Sequence, residues 1–136
     1  AFAFCPKLKN IEGVTSVDSI AKQAFLLSPS LETIGGTLKV RRVGREAFKD
    51  CAKLRTVFTG LKHIEESAFA GCASIPAVNV SKAEYIENAA FARCSSLKSD
   101  LFIIAEDIGD YAFSRCSAIP SVHIQYGKEY RCKGFS

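Results

Sequence analysis

Ala47-Phe48-Lys49-Asp50-Cys51-Ala52-Lys53-Leu54 is the stretch that decides the fold, because the chain repeats it. It returns as Ala68-Phe69-Ala70-Gly71-Cys72-Ala73-Ser74-Ile75, as Ala90-Phe91-Ala92-Arg93-Cys94-Ser95-Ser96-Leu97, and as Ala112-Phe113-Ser114-Arg115-Cys116-Ser117-Ala118-Ile119. Two looser copies precede these, one running from Phe2 through Cys5 to Leu8 and one from Phe25 through Ser28 to Leu31. The phenylalanines at 2, 25, 48, 69, 91, 113 and 135 are separated by 23, 23, 21, 22, 22 and 22 residues. A fixed period of this length predicts a solenoid in which each repeat buries its apolar face only against its neighbours. Function in such a fold is expected on outer surfaces and not in a cleft.

With each phenylalanine as origin, the remaining columns fall into place. The preceding residue is small: Ala1, Ala24, Ala47, Ala68, Ala90, Ala112 and Gly134. Six residues on stand Leu8, Leu31, Leu54, Ile75, Leu97 and Ile119, and five before the next phenylalanine stand Ile20, Val43, Ile64, Ile86, Ile108 and Tyr130. These columns are the expected core. Cys5, Cys51, Cys72, Cys94 and Cys116 share one slot, which Ser28 fills in the second copy. A slot that takes cysteine or serine needs a small side chain, and cysteine serves there as a small buried hydrophobe. Thiols stacked rung on rung point the same way, which is poor disulfide geometry, and a line of sulfurs does not converge as zinc ligands must. We therefore expect free thiols, with Cys132, outside the column, as the reachable one.

The bulk numbers narrow the function classes. The 136 residues suit one domain, 1–136, with repeats starting near Phe2, Phe25, Phe48, Phe69, Phe91 and Phe113. Net charge is +4, with 18 basic and 14 acidic residues interspersed, so no nucleic-acid footprint is expected. The densest basic run, Lys39, Arg41, Arg42 and Arg45, reads as a solvated edge, with a phosphate or anionic-lipid contact as the alternative. No apolar run is long enough for a membrane span, so no membrane insertion is expected. No catalytic residues, cofactor or metal site are expected: His63 and His123 lie on different rungs, no glycine-rich phosphate loop precedes a helix, and Glu106, Asp107 and Asp110 lack a recognised calcium-ligand spacing.

The pattern resembles the BspA-like leucine-rich repeat family, whose repeat can be written C-x-x-L-x-x-I-x-(I/L)-P-x-x-(V/L)-x-x-I-G-x-x-A-F-x-x. The match here is Cys51-x-x-Leu54-x-x-Val57, then Ile64-x-x-x-Ala68-Phe69-x-x-Cys72, and it recurs along essentially the whole chain. Departures are the family glycine, present only as Gly44 and Gly109, the missing loop proline, and Asp100 at an aliphatic position. The resemblance implies a β-rich solenoid, a leucine-rich-repeat arc of about six 21–23-residue repeats with a short-stranded concave sheet. It also implies a non-enzymatic protein–protein interaction module of the surface or secreted adhesion type, with another protein as partner.

In that family the L-x-x-I-x segment carries the concave strand, and period-two alternation decides what it presents. The presented residues then include Phe58, Asn79, Leu101 and His123, our expected protein-binding face. The run Ser99-Asp100-Leu101-Phe102-Ile103-Ile104 threads two ways. In the family register Asp100 is buried. With a one-residue slip Leu101 and Ile103 turn inward and Phe102 becomes the presented aromatic. We favour the slip, because an unpaired buried carboxylate is costly. A second expected contact edge is Phe4, Leu26 and Leu27, which either packs under a terminal cap or meets a partner. Neither end of the chain shows a polar cap, so the array is expected to be a fragment of a longer one, with its ends covered by further chain or by another protein, and with the tail 125–132 partly shielding the last rung. The rival expectation is a structural subunit or scaffold embedded in a larger assembly in the cell interior.

Overall fold

The computed structural model of the chain describes residues 3–124; Phe2, Phe135, Cys132 and the tail lie outside them. The described residues form a β-solenoid of about five turns with no helix. Its strands are β1 (Asn10–Ile11), β2 (Ser16–Ile20), β3 (Thr33–Ile34), β4 (Thr37–Val43), β5 (Val57–Thr59), β6 (His63–Ile64), β7 (Tyr85–Ile86), β8 (Leu101–Ile103), β9 (Asp107–Ile108) and β10 (Val122–Ile124). All named pairings are parallel. This is the arrangement a helical coil of chain imposes, since each turn brings the same repeat position back over itself in the same direction.

The longest ladder runs β2-β4-β6-β7-β9 and carries the aliphatic column Ile20, Val43, Ile64, Ile86 and Ile108. The L-x-x-I segments also pair, but in short pieces: β1 with β3, β5 with β4, and β8 with β10, with a single bridge from Phe58 to Val78. The two kinds of ladder enclose one core.

The phenylalanine column is its spine. Rings of Phe25, Phe48, Phe69, Phe91 and Phe113 follow one another at centroid distances of 5.1, 5.4, 5.1 and 5.2 Å, with interplanar angles of 2, 11, 4 and 7°. Such near-parallel stacks are favourable aromatic geometry. The backbone around each ring explains why it is held so regularly. The residues two before and two after the phenylalanine adopt left-handed φ in every described rung: Gln23, Glu46, Ser67, Ala89 and Tyr111 on one side, Phe4, Leu27, Asp50, Gly71, Arg93 and Arg115 on the other. All but Gly71 are non-glycine, with φ between 53 and 62°, a region that carries a steric penalty for L-residues. Inter-rung hydrogen bonds offset it. The amides of Glu46, Phe48 and Asp50, for example, donate to the carbonyls of Glu66, Ala68 and Ala70 at 3.0, 2.8 and 2.8 Å. Three bonds per turn lock the ring inward.

The thiol column also follows a rule. Cys51, Cys72, Cys94 and Cys116 donate S–H to the carbonyls of Phe25, Phe48, Phe69 and Phe91 at 3.1, 3.1, 3.2 and 2.9 Å. All five described cysteines are free. Each of the thiols of Cys51, Cys72, Cys94 and Cys116 therefore ties the turn of its own rung to the one before it, a task a serine hydroxyl can also perform, which accounts for Ser28 in the same slot.

Two expected surface residues are core. Phe58 is fully buried, tilted against Phe48 at 5.3 Å and edge-on to Phe69 at 4.8 Å. Its repeat alternates strictly from Leu54, so that Leu54, Thr56 and Phe58 all face inward, whereas in the neighbouring repeat Ile34, three residues after Leu31, is the buried one. Thr56 tolerates this because its hydroxyl accepts from the Ile34 amide at 2.8 Å and donates to the Gly35 carbonyl at 3.2 Å. Leu101 is likewise fully buried, with Ile103, while Asp100 and Phe102 face solvent. This is the slipped register: the carboxylate goes to water, and Ser121 Oγ donates to it at 2.7 Å.

Gly44 and Gly109 stand where the backbone of the preceding turn comes closest. A Cβ on Gly44 would lie 2.5 Å from the Lys22 nitrogen, 2.8 Å from the Ala21 carbonyl carbon and 2.9 Å from the Ile20 oxygen. Backbone atoms cannot swing aside. Gly44→Ala is therefore expected to cost about 1–3 kcal/mol, read as a lower denaturation midpoint with an unchanged slope; an unchanged midpoint would show that the rungs separate freely.

Candidate functional site

Three outer surfaces carry side chains that the core does not use. The first lies beside β8 and β10. Phe102 is 55% exposed, and its ring lies flat against that of His123, with centroids 4.6 Å apart and planes 7° apart. The pairing follows from the ladder register, which places His123 directly over Phe102. Ser121 Oγ sits 3.3 Å from His123 Nε2. Exposed Ile104 and Ile124 flank the stack, and Ser81, Phe102, Ile103, Ile104, His123 and Ile124 line a depression of about 360 Å³. An adjoining depression of about 240 Å³ shares Ser81 and Phe102 and adds Asn79 and Asp100. Asn79 Oδ1 accepts from the Ser81 amide at 3.0 Å and from its hydroxyl at 2.6 Å, which holds the side chain at the rim. Asn79, Phe102 and His123 thus share one surface, whereas Phe58 and Leu101 are under it.

The second surface is the edge at the N-terminal rungs. Phe4 and Leu27 are 64% and 42% exposed, while Leu26 is half-buried. Both exposed residues stand at left-handed positions, and the Phe4 amide donates to the Leu26 carbonyl at 2.9 Å, so neighbouring turns place them side by side.

The third surface is the outer face of the long ladder, which the sequence reading passed over. Ladder register stacks Ser19, Arg42, His63, Tyr85 and Asp107 in one outward row. His63 and Tyr85 rings are 5.4 Å apart, and His63 Nε2 contacts Glu87 Oε2. Arg42 pairs with Glu65 at 3.5 Å and Lys62 with Glu84 at 3.8 Å, both exposed enough to contribute little to stability. Shallow depressions of about 360 and 340 Å³ lie to either side of the His63–Tyr85 row. The signal for this face was present: these residues sit one place before the aliphatic column, where alternation turns them outward. Their type changes at every rung, so no repeat motif advertises them.

Burial pushes the Cys51 thiol up to about 11 and raises Cys72 well above its ordinary value. Cys94 is raised by its hydrogen bond with Cys116 and by burial. These three are held as inert thiols at neutral pH. Among the described residues no group of three or more His, Cys, Asp or Glu side chains could hold a metal ion, so Glu106, Asp107 and Asp110 do not converge. No helix of the described residues is long and apolar enough to cross a membrane.

Comparison with known proteins agrees with this architecture. A family model described as the BspA type leucine rich repeat region matches six copies, over residues 1–98 and 100–131. No curated protein and no solved structure matches the chain. With its phenylalanine spine, thiol column and parallel ladders all in the repeat's frame, the chain belongs to the BspA-type leucine-rich repeat family, a family of protein-interaction repeats that is generally non-catalytic.

Proposed function

We propose that this is a non-enzymatic protein–protein interaction module of the adhesion or receptor type, displayed at the cell surface or secreted, and that Asn79, Phe102 and His123 form its protein-binding face. The observation that carries the reading is the exposed Phe102–His123 stack, rimmed by Ile104, Ile124 and Asn79. A flat aromatic already held in place by a neighbour loses little freedom on binding, and contiguous exposed apolar surface of this kind marks contact sites. The test compares beads carrying the wild-type protein with beads carrying Phe102→Ala/His123→Ala, presented with cell-surface and cell-interior protein fractions and read by mass spectrometry. A surface protein retained by the first and lost from the second, at an unchanged Tm, is the expected result. Equal retention by both removes this face from the reading, and a retained partner from the interior fraction favours the second reading.

That second reading is a structural subunit or scaffold embedded in a larger assembly. Phe4 and Leu27, exposed on neighbouring turns, support it. A free-standing module stays monodisperse when expressed alone, whereas an embedded subunit aggregates until that edge is covered.

A further inference from the structure

The outer face of the long ladder bears two charge triplets of opposite sign, and Arg42 and Arg45 of the first also pair within the chain with Glu65 at 3.5 Å and Glu46 at 3.9 Å. On the turn that enters Phe48 stand Arg41, Arg42 and Arg45, and on the turn that enters Phe113 stand Glu106, Asp107 and Asp110. They occupy the same three positions of the repeat, seven, six and three residues before the phenylalanine. Ladder register connects them through two intervening turns, Arg42 over His63, His63 over Tyr85, Tyr85 over Asp107. The intervening turns continue the gradient: Lys62 follows Arg41 and Glu84 precedes Glu106. Over these four turns the face thus runs from basic to acidic, with the His63–Tyr85 pair at its midpoint, while Asp18 and Lys22 hold two of the same positions on the turn before.

From this arrangement we propose that the face is a self-association surface whose occupant is a second copy of this chain, packed face to face with its turns in reversed order. The two-fold axis runs along the strand direction, between the turn of His63 and the turn of Tyr85. Such an axis keeps each repeat position opposite itself and exchanges the two ends of the gradient. Arg41, Arg42 and Arg45 then face Glu106, Asp107 and Asp110 of the second copy, and the reverse holds by symmetry, as an isologous interface requires. Lys62 faces Glu84 of the second copy, and His63 faces its Tyr85. The one like-charge opposition is Glu65 against Glu87 of the second copy; within its own chain Glu65 pairs with Arg42 at 3.5 Å and Glu87 is hydrogen-bonded with His63. A partner oriented with its turns in the same order would set arginines on arginines. The surface reads one arrangement and rejects the other, which is how charge patterns set register between partners.

The four turns involved span about 15 Å along the stack at the usual strand spacing. The interface is therefore in the small, transient class and depends on ionic strength. It is separate from the Phe102–His123 surface, so either assignment can fail without the other.

The test is sedimentation equilibrium of the whole chain at about 0.01 M and about 1 M salt, where the screening length falls from about 30 to about 3 Å. Wild type is expected to dimerise at low salt and to weaken tenfold or more at high salt. Arg41→Glu alone and Glu106→Arg alone are each expected to weaken the low-salt dimer by about tenfold. The combined Arg41→Glu/Glu106→Arg protein restores self-association and, labelled, pairs with wild type more weakly than with itself, because an exchange in one partner alone sets like charges opposite at that position. Arg42→Glu/Asp107→Arg serves as a second exchanged pair should the first fail to fold, judged by Tm. A wild type that remains monomeric at low salt overturns the proposal. So does a dimer indifferent to both reversals, or an exchanged protein that pairs with wild type as tightly as with itself, since either means the association uses another surface.

Discussion

Replacing Phe69 with alanine is expected to remove about 3–5 kcal/mol of stability, a large share of what a domain of this size commonly has. Phe69 is fully buried at the middle of the stack. Its ring lies parallel to Phe48 at 5.4 Å and to Phe91 at 5.1 Å, and takes the edge of Phe58 at 4.8 Å. The hole left by the side chain cannot close, because the turn that carries it is fixed to the next by the Ser67, Phe69 and Gly71 amides, donating to Asn88, Ala90 and Ala92 at 3.0, 2.8 and 2.8 Å. Its location in the array adds to the effect. A solenoid holds together through contacts between nearest neighbours, so a defect in a central turn uncouples the turns on either side, and the denaturation transition should broaden as well as move. Phe25→Ala, nearer one end and slightly exposed, should cost less. Urea denaturation followed by far-ultraviolet circular dichroism measures both. A loss below about 1 kcal/mol at Phe69 would contradict a load shared through the ring stack.

Leu101→Asp and Phe102→Asp, one residue apart, are expected to give opposite results. Leu101 is fully buried, so an aspartate there either remains charged without a partner or takes up a proton, and both outcomes cost several kcal/mol. We expect Leu101→Asp to unfold the C-terminal turns or the whole chain at 37 °C. Phe102→Asp places its carboxylate in water and should shift stability by no more than about 0.5 kcal/mol, while removing the Phe102–His123 stack. The repeat pattern of the family, applied literally, predicts the reverse order, with Asp100 inside and Leu101 outside. Thermal melts of the two variants decide between the registers, and similar melting temperatures would show that neither residue is held to one face.

Residues that recur without change were legible in the sequence. Phe48, Phe69, Phe91 and Phe113, with Cys51, Cys72, Cys94 and Cys116, each solve the same packing problem at every turn, so their spacing alone turned them inward. The Asp100 register was legible too, since one misplaced carboxylate made one threading expensive. Phe58 was not. Its burial depends on where alternation begins within a repeat two residues shorter than the one before it and one shorter than the one after, and on Thr56 finding the Ile34 amide and Gly35 carbonyl of the turn below, a contact between residues about 20 positions apart. The left-handed pairs around each ring were hidden for a different reason. Glutamine, glutamate, serine, alanine and tyrosine stand where glycine is the usual sign of such a conformation, and only the inter-turn hydrogen bonds make it affordable.

The period of the chain by itself determined that it coils and which recurring columns turn inward, because a repeating turn can bury its apolar residues only against copies of itself. Tertiary structure alone decided which residues the coil shows. Stacking converts distant positions into rows, and the rows Arg42–His63–Tyr85–Asp107 and Phe102–His123 exist only once the inter-turn register is set. A one-residue change in that register turns every side chain of a strand to its other side, so the identity of the outer surface rests on hydrogen bonds between turns and not on composition within one.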